Sequence, residues 1–170
     1  MGEQGSHSVV SLDLSFAEAP AQGLVTPLCQ ALAELCRPFV RGTDAAARLR
    51  LTAHELLENI VKYSAEGACA FRFQLTRGEQ GALTAAIVTR NVPAAQRRAD
   101  VEERLGALTA ARDPLEHYDS VIAESAKQPA GSGLGLARIH AETEYRLSYR
   151  FEERVLVIEA SGDVIDADPS

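Results

Sequence analysis

Residues 51–64, LTAHELLENIVKYS, alternate between polar and apolar side chains with the period of an α-helix. At about 100° per residue, the polar residues and the apolar residues fall on opposite sides. The polar arc contains Arg48, Thr52, Glu55, Asn59 and Lys62, and the apolar face contains Leu49, Ala53, Leu56, Leu57, Ile60 and Val61. The sequence therefore predicts a helix to about Tyr63 that buries one face in a core. Thr43 or Asp44 would cap its start, and Gly67 would end it.

The polar arc of this helix supports two interpretations. Glu55, Asn59 and Lys62 place a carboxylate, an amide and an ammonium one turn apart, which suits a divalent cation with phosphates. The oxygens are hard ligands or proton acceptors, and the ammonium is a point charge for phosphate. The same residues also fit an ordinary solvated stripe, in which Glu58 and Lys62 form an i,i+4 ion pair. The helix alone leaves both interpretations open.

Composition and charge limit the classes of function. The chain has 170 residues, of which 46% are hydrophobic, and this is enough for one domain with a substantial core. Its net charge of −7 argues against a nucleic-acid partner, because such binding depends on Lys and Arg neutralising phosphates. No apolar run reaches transmembrane length, so we expect a cytoplasmic protein with no membrane partner.

The three cysteines, Cys29, Cys36 and Cys69, show no CxxC spacing. An odd number without that spacing fits neither a disulfide framework nor a zinc knuckle. Cys29 and Cys36 lie two turns apart on an apolar helical face, so we expect both thiols in the core.

Hydrophobic periodicity predicts the remaining elements and their order. Strands are expected over 8–16, 68–76, 82–91, 145–151 and 154–160, and helices over 21–40, 43–63, 94–128 with a break at 112–114, and 134–142. Strand pairs joined by short turns indicate an antiparallel or mixed sheet with helices on one face, an α+β two-layer sandwich.

The same pattern predicts the domain organisation. Residues 8–162 would form one domain, after a disordered N-terminus over 1–7 and before an acidic tail over 163–170. Residues 93–130 are long and weakly hydrophobic, which is typical of a lid or a partner-facing insertion.

A second informative stretch is GSGLGL at residues 131–136, where Gly131, Gly133 and Gly135 alternate directly before a predicted helix. Without Cβ atoms the backbone can approach a ligand closely, and the first turn of a helix offers N–H groups to an anion. No Gly-Lys-Ser/Thr follows, so this is not a P-loop, and Leu136 stands where a Rossmann fingerprint needs its third glycine. Alone, the stretch fits either a phosphate loop or a mobile hinge.

Over about residues 8–160 the sequence resembles the GHKL (histidine-kinase-like) ATPase superfamily. The resemblance depends on four features taken together: Glu55-x-x-x-Asn59 on a helix, the hairpin after it, the insertion and the glycine stretch. The resemblance implies the Bergerat-type ATPase fold, with ATP and Mg²⁺ as cofactors. It implies that Asn59 ligates Mg²⁺, that Glu55 is the general base and that Lys62 approaches the phosphates. The backbone that would close over the phosphates belongs to Gly131, Ser132, Gly133, Leu134, Gly135 and Leu136.

The resemblance is incomplete at the G1 box of the family, Asp-x-Gly-x-Gly, where this chain has Asn91-Val-Pro-Ala-Ala. Asn91 takes the place of the adenine-reading aspartate, and its oxygen can accept a hydrogen bond without carrying a charge. Pro93 and Ala95 replace the two glycines. Similar departures occur in bacterial regulators that resemble the SiaB-like kinases, which phosphorylate a partner protein.

The resemblance implies a bacterial signalling regulator, for which there are two hypotheses. The first is an ATP/Mg²⁺-dependent Ser/Thr protein kinase of a partner-switching circuit, similar to the anti-sigma-factor serine kinases. Its partner would be a STAS-like antagonist, a sigma factor or another signalling protein. The second is a degenerate, non-catalytic module that sequesters such a partner without nucleotide. The intact Glu55 and Asn59 favour the kinase, the lost G1 glycines favour the module, and a homodimer is left open.

Overall fold

A computed structural model describes residues 6–40, 42–78, 81–125 and 133–164. The strands in these ranges are β1 (His7–Phe16), β2 (Cys69–Arg77), β3 (Leu83–Asn91), β4 (Arg146–Glu152) and β5 (Val155–Asp163). The α-helices are α1 (Val25–Cys36), α2 (Thr43–Tyr63), α3 (Arg98–Ala110), α4 (Pro114–Ser125) and α5 (Leu134–Glu142). Within the same ranges, no helix is both long enough and apolar enough to cross a bilayer.

The strands form one antiparallel sheet in the order β1-β2-β3-β5-β4, so β1 is an edge strand as the sequence predicts. The register aligns Phe73 with Leu12 on one side and with Ile87 on the other, and Ile87 in turn with Ala160. Because side chains alternate along a strand, these residues lie on the same face of the sheet. The predicted α+β two-layer sandwich is confirmed, with an antiparallel sheet.

The core lies between this face of the sheet and the helices. Phe71, Phe73 and Leu75 of β2 are at most 1% exposed, whereas Arg72 and Gln74 between them are exposed on the other face. The helices contribute the buried side chains Val25, Cys29, Leu32, Cys36, Leu49, Ala53, Leu56, Leu57, Ile60 and Ile139. The predicted burial of the two cysteines in α1 is therefore confirmed.

Helix α2 has the predicted length, but both of its predicted end signals are wrong. Gly42, with extended backbone, is the N-cap residue, and Thr43 and Asp44 belong to the first turn. At the other end the helix stops at Tyr63, well before Gly67. The hydroxyl of Ser64 donates a 2.6 Å hydrogen bond to the carbonyl of Ile60, which satisfies a terminal acceptor without a glycine.

Most of the remaining boundaries differ from the predicted ones by a few residues. Helix α1 ends at Cys36, where the N–H groups of Phe39 and Val40 both donate to its carbonyl, rather than at Val40. Strand β1 already begins at His7. Strand β5 includes Asp163, and the buried Val164 donates its N–H to the carbonyl of Leu83 at 2.8 Å, so the chain is still part of the fold there. The predicted tail beyond residue 164 lies outside the described residues, as do residues 1–5.

Residues 95–125 of the predicted insertion contain a short 3₁₀ turn at Ala95–Arg97 and then helices α3 and α4. Helix α3 packs on β4, and α4 packs on α5. Helix α4 has no buried residue and exposes Leu115 and Ile122. Its role as a lid or partner-facing element stays a prediction.

Candidate functional site

The polar arc of α2 is only partly a solvent-facing surface, because α5 packs on α2. Thr52 is fully buried, and its hydroxyl donates a 2.9 Å hydrogen bond to the carbonyl of Arg48 in the preceding turn. The side chain of Glu55 is only 14% exposed. The placement of Thr52 on the face away from the core is therefore wrong. Periodicity identifies the polar face of a helix, but it cannot show that another helix covers that face.

Glu55 lies directly against Gly135 of α5. A Cβ built on Gly135 would overlap Oε2 of Glu55 and would lie 3.2 Å from its carboxyl carbon. Gly133 occupies the N-cap of α5 with a φ of 63°, a left-handed conformation that favours glycine. The α2 motif and the described end of the glycine stretch are thus adjacent, and α5 has the predicted bounds. Gly131 and Ser132 lie outside the described residues.

The surroundings of Glu55 change its acid–base behaviour. Burial raises the pKa of the carboxyl group, and the charge of Glu58 adds to that shift, whereas the positive charges of Arg138 and Lys62 oppose it. Nη1 of Arg138 lies 3.6 Å from Oε1 of Glu55. A carboxylate with a raised pKa is a stronger proton acceptor, which is the property that a general base needs.

Arg138 is a site residue that the sequence reasoning missed. Its Nε donates to both carboxylate oxygens of Glu142, at 3.1 and 3.0 Å, while the guanidinium also contacts Glu55 on the neighbouring helix. These interactions raise the pKa of Arg138, mainly through the hydrogen bond to Glu142. The i,i+4 spacing of Arg138 and Glu142 was readable, but the contact with Glu55 depends on how the two helices pack.

Asn59 and Asn91 are the two asparagines of the sequence. Each has its side-chain Nδ2 buried without a hydrogen-bond partner in the described part of the chain. Asn91 is 4% exposed at the end of β3, a strand on which α2 packs. A buried amide without a partner costs about 1–3 kcal/mol, so such a group needs an explanation. A polar ligand between α2 and the end of β3 would supply the missing acceptors.

Lys62 takes part in the i,i+4 ion pair that is predicted if the polar arc is an ordinary solvated stripe. Its ammonium contacts the carboxylate of Glu58, which also accepts a 3.1 Å hydrogen bond from Nε2 of Gln22. The hydrogen bond between them raises the pKa of Lys62 and lowers that of Glu58. The Lys62 side chain is still half exposed, and its approach to phosphates stays a prediction.

His54, Glu55 and Glu58 bring three metal-ligating atoms within 4.8 Å of one another. Both carboxylates already have cationic neighbours, namely Arg138 for Glu55 and Lys62 for Glu58. A bound cation would be repelled by these side chains, so we assign no metal site to this cluster.

The remaining predicted residues border the same region. Leu134 and Leu136 form the first turn of α5 and are half-buried, and Leu136 packs on the core. The chain after Asn91 continues through the buried Pro93. The carbonyl of Val92 accepts a 2.8 Å hydrogen bond from the N–H of Ala65, which joins the segment after α2 to the end of β3.

Comparison with known proteins gives a structural likeness. No protein-family model and no curated protein sequence matches the chain. Among solved structures, the chain is similar to one in the SiaB–SiaC complex from Pseudomonas aeruginosa, with a TM-score of 0.65 and 16% sequence identity. The match covers 91% of this chain and 89% of that one. At this identity the likeness establishes a shared fold.

Proposed function

We propose that the chain is a signalling regulator of the GHKL class that binds ATP with Mg²⁺ and phosphorylates a serine or threonine of a partner protein. The contact between Glu55 and Gly135 carries this proposal, because it joins the helix motif to the glycine stretch. The structural neighbour supports a protein partner, since that structure is a complex of SiaB with SiaC.

The residues present fit such a ligand in three respects. The unpartnered Nδ2 groups of Asn91 and Asn59 are donors that need acceptors, and we assign the first to a ring nitrogen of the adenine and the second to a phosphate oxygen. The side-chain oxygen of Asn59 is then left to ligate Mg²⁺. The backbone of residues 131–136 is assigned to the phosphates. When bound, ATP with Mg²⁺ supplies the phosphoryl group and neutralises its charge. Glu55 accepts the proton of the acceptor hydroxyl as that oxygen attacks.

Thermal unfolding with and without ATP and Mg²⁺ tests nucleotide binding. A ligand that binds only the folded state stabilises it by about 2–3 kcal/mol at a hundredfold excess over Kd. We expect this stabilisation in the wild type, and a much smaller one in Asn91→Ala and in Asn59→Ala. Gln74→Ala, which removes an exposed amide on the open face of the sheet, is the matched control. An unchanged melting temperature of the wild type at millimolar ATP and Mg²⁺ contradicts the proposal, and equal stabilisation of all variants places the nucleotide elsewhere.

A second experiment tests the role of Glu55. Glu55→Gln keeps the size of the side chain but cannot accept a proton as a carboxylate does. We expect the variant to bind ATP as the wild type does and to lose phosphoryl transfer to a partner co-purified from the native host. Transfer at the wild-type rate would remove Glu55 from the mechanism.

A second candidate function is the non-catalytic module that sequesters its partner without nucleotide. Two observations favour it: Glu58 holds the ammonium of Lys62, and Pro93 is buried where the family has a flexible glycine. In that case the co-purified partner stays bound after nucleotide and Mg²⁺ are removed, and it carries no added phosphate. Mass measurement of the partner after incubation with ATP separates the two functions.

A further inference from the structure

Arg138 connects the proposed base to the helix that follows the glycine stretch. On one side its Nε donates to both oxygens of Glu142, one turn further along α5. On the other side its Nη1 lies 3.6 Å from Oε1 of Glu55 on α2. Because Glu142 anchors the guanidinium on α5, the Arg138 side chain cannot rotate freely. Its contact with Glu55 therefore has a defined geometry.

Gly135 confines the same carboxylate from another side. A Cβ at this position would overlap Oε2 of Glu55, so the carboxylate lies in space that any other residue would fill. Arg138 contacts Oε1 and the backbone of Gly135 faces Oε2. The two oxygens of Glu55 thus face separate parts of the first turns of α5, and the side chain has little freedom to adopt another rotamer.

We propose that Arg138 is the positioning residue for Glu55, holding its carboxylate against the first turn of α5 in the orientation that proton acceptance requires. This inference rests on the proposed function, since it takes Glu55 as the base. Without Arg138 the carboxylate loses its ionic contact on α5, and the ammonium of Lys62, which also acts on it, lies on α2. The side chain then turns away from α5 along its own helix, and the base is misplaced.

The orientation of Glu55 is measured without nucleotide, by NMR of protein labelled with ¹³C-glutamate. Glu55→Gln identifies the Glu55 carboxyl resonance. We expect Arg138→Gln to shift or broaden this resonance, Arg138→Lys to restore most of the wild-type position, and Glu142→Gln to produce a smaller change of the same kind. Arg72→Gln, which removes an arginine paired with Asp13 on the open face, should leave it unchanged. A Glu55 resonance that is identical in the wild type and Arg138→Gln overturns the proposal. If Arg138→Gln does not fold, an unchanged Glu55 resonance in Glu142→Gln overturns it instead.

Turnover of ATP provides a second measurement. For a misplaced base we expect Arg138→Gln to lower kcat about tenfold while the KM for ATP stays within about twofold. A rise in KM at constant kcat would make Arg138 a nucleotide-binding residue and overturn the positioning role. Failure of the wild type to bind ATP contradicts the proposed function instead, and it leaves the NMR result to decide whether Arg138 orients Glu55.

Discussion

The two halves of helix α2 have different surroundings. Its N-terminal half packs on α1, and the two helices line a mainly apolar pocket of about 220 Å³ with side chains such as Leu32 and Leu49, together with Val40 from the segment between them. Its C-terminal half has the desolvated carboxylate of Glu55 and the buried amide of Asn59. The first half stabilises the fold through apolar burial. The second keeps polar groups that cost stability, and the ligand proposed above would account for them.

The largest expected effect belongs to the apolar half. Leu49 is 3% exposed, so Leu49→Ala removes buried methyl groups and enlarges the pocket. We expect the free energy of unfolding to fall by about 2–5 kcal/mol in urea titrations. Leu35→Ala on the exposed side of α1, where the side chain is 47% exposed, should cost much less. Equal losses for the two variants would show that Leu49 does not contribute through burial.

The effect of Gly135→Ala on the free energy of unfolding comes next, and the sign of this effect should depend on Glu55. In the wild type the new methyl group displaces the carboxylate, and we expect a loss of about 1–2 kcal/mol. In the Glu55→Ala background the overlap is gone, and alanine should instead stabilise α5 by up to about 1 kcal/mol through its helix propensity. Gly106→Ala in α3 is the control, because its Cβ would lie at an ordinary 3.6 Å from the Tyr149 hydroxyl. A loss of equal size in both backgrounds would mean that Gly135 and Glu55 are not coupled.

The pH dependence of stability should have opposite signs at Glu55 and Glu58. Burial raises the pKa of Glu55, so its contribution to stability is complete at low pH and is lost as pH rises through the folded-state value. The hydrogen bond from Lys62 lowers the pKa of Glu58, so its contribution is present near neutral pH and is lost as pH falls. Between pH 3 and 7, the melting temperature of the wild type minus that of Glu55→Gln should therefore fall as pH rises. The melting temperature of the wild type minus that of Glu58→Gln should rise over the same range. Parallel curves for the two variants would contradict this assignment.

The smallest expected effect is that of Lys62→Met. The Lys62 side chain is half exposed in its ion pair with Glu58, and i,i+4 pairs of this kind contribute about 0.2–0.5 kcal/mol. We therefore expect a nearly unchanged melting temperature without nucleotide, and a reduced stabilisation by ATP and Mg²⁺ if the ammonium turns to the phosphates. The same small change with and without nucleotide would restrict Lys62 to its ion pair.

Elements whose signals are local could be predicted closely. The bounds of α5 followed from glycines on one side and a loss of periodicity on the other, and β2 followed from alternation around Arg72 and Gln74. Helix ends were less accessible, because Gly42 and Ser64 occupy the cap positions of α2 although Thr43, Asp44 and Gly67 are the usual signals. Several residue types satisfy a helix terminus, and the sequence alone does not decide among them.

The candidate site could be predicted only in part, because its arrangement depends on tertiary contacts. The sequence placed Glu55 and Asn59 on one face of α2, which periodicity determines. The burial of Thr52 and the contact of Arg138 with Glu55 depend on which elements pack against α2, and no local pattern encodes that packing. The resemblance to a family supplied the pairing of the helix with the glycine stretch, which residue spacing could not have supplied.

The two cysteines of α1 can report on the packing of α1 against the N-terminal half of α2. Burial raises the pKa of Cys29 and Cys36 to about 11 each. At neutral pH only about one such thiol in ten thousand is then ionised, and the thiolate is the form that alkylating reagents attack. Cys29 and Cys36 also line the pocket between α1 and α2, so the rate of alkylation measures how often this pocket exposes an ionised thiol in the native protein.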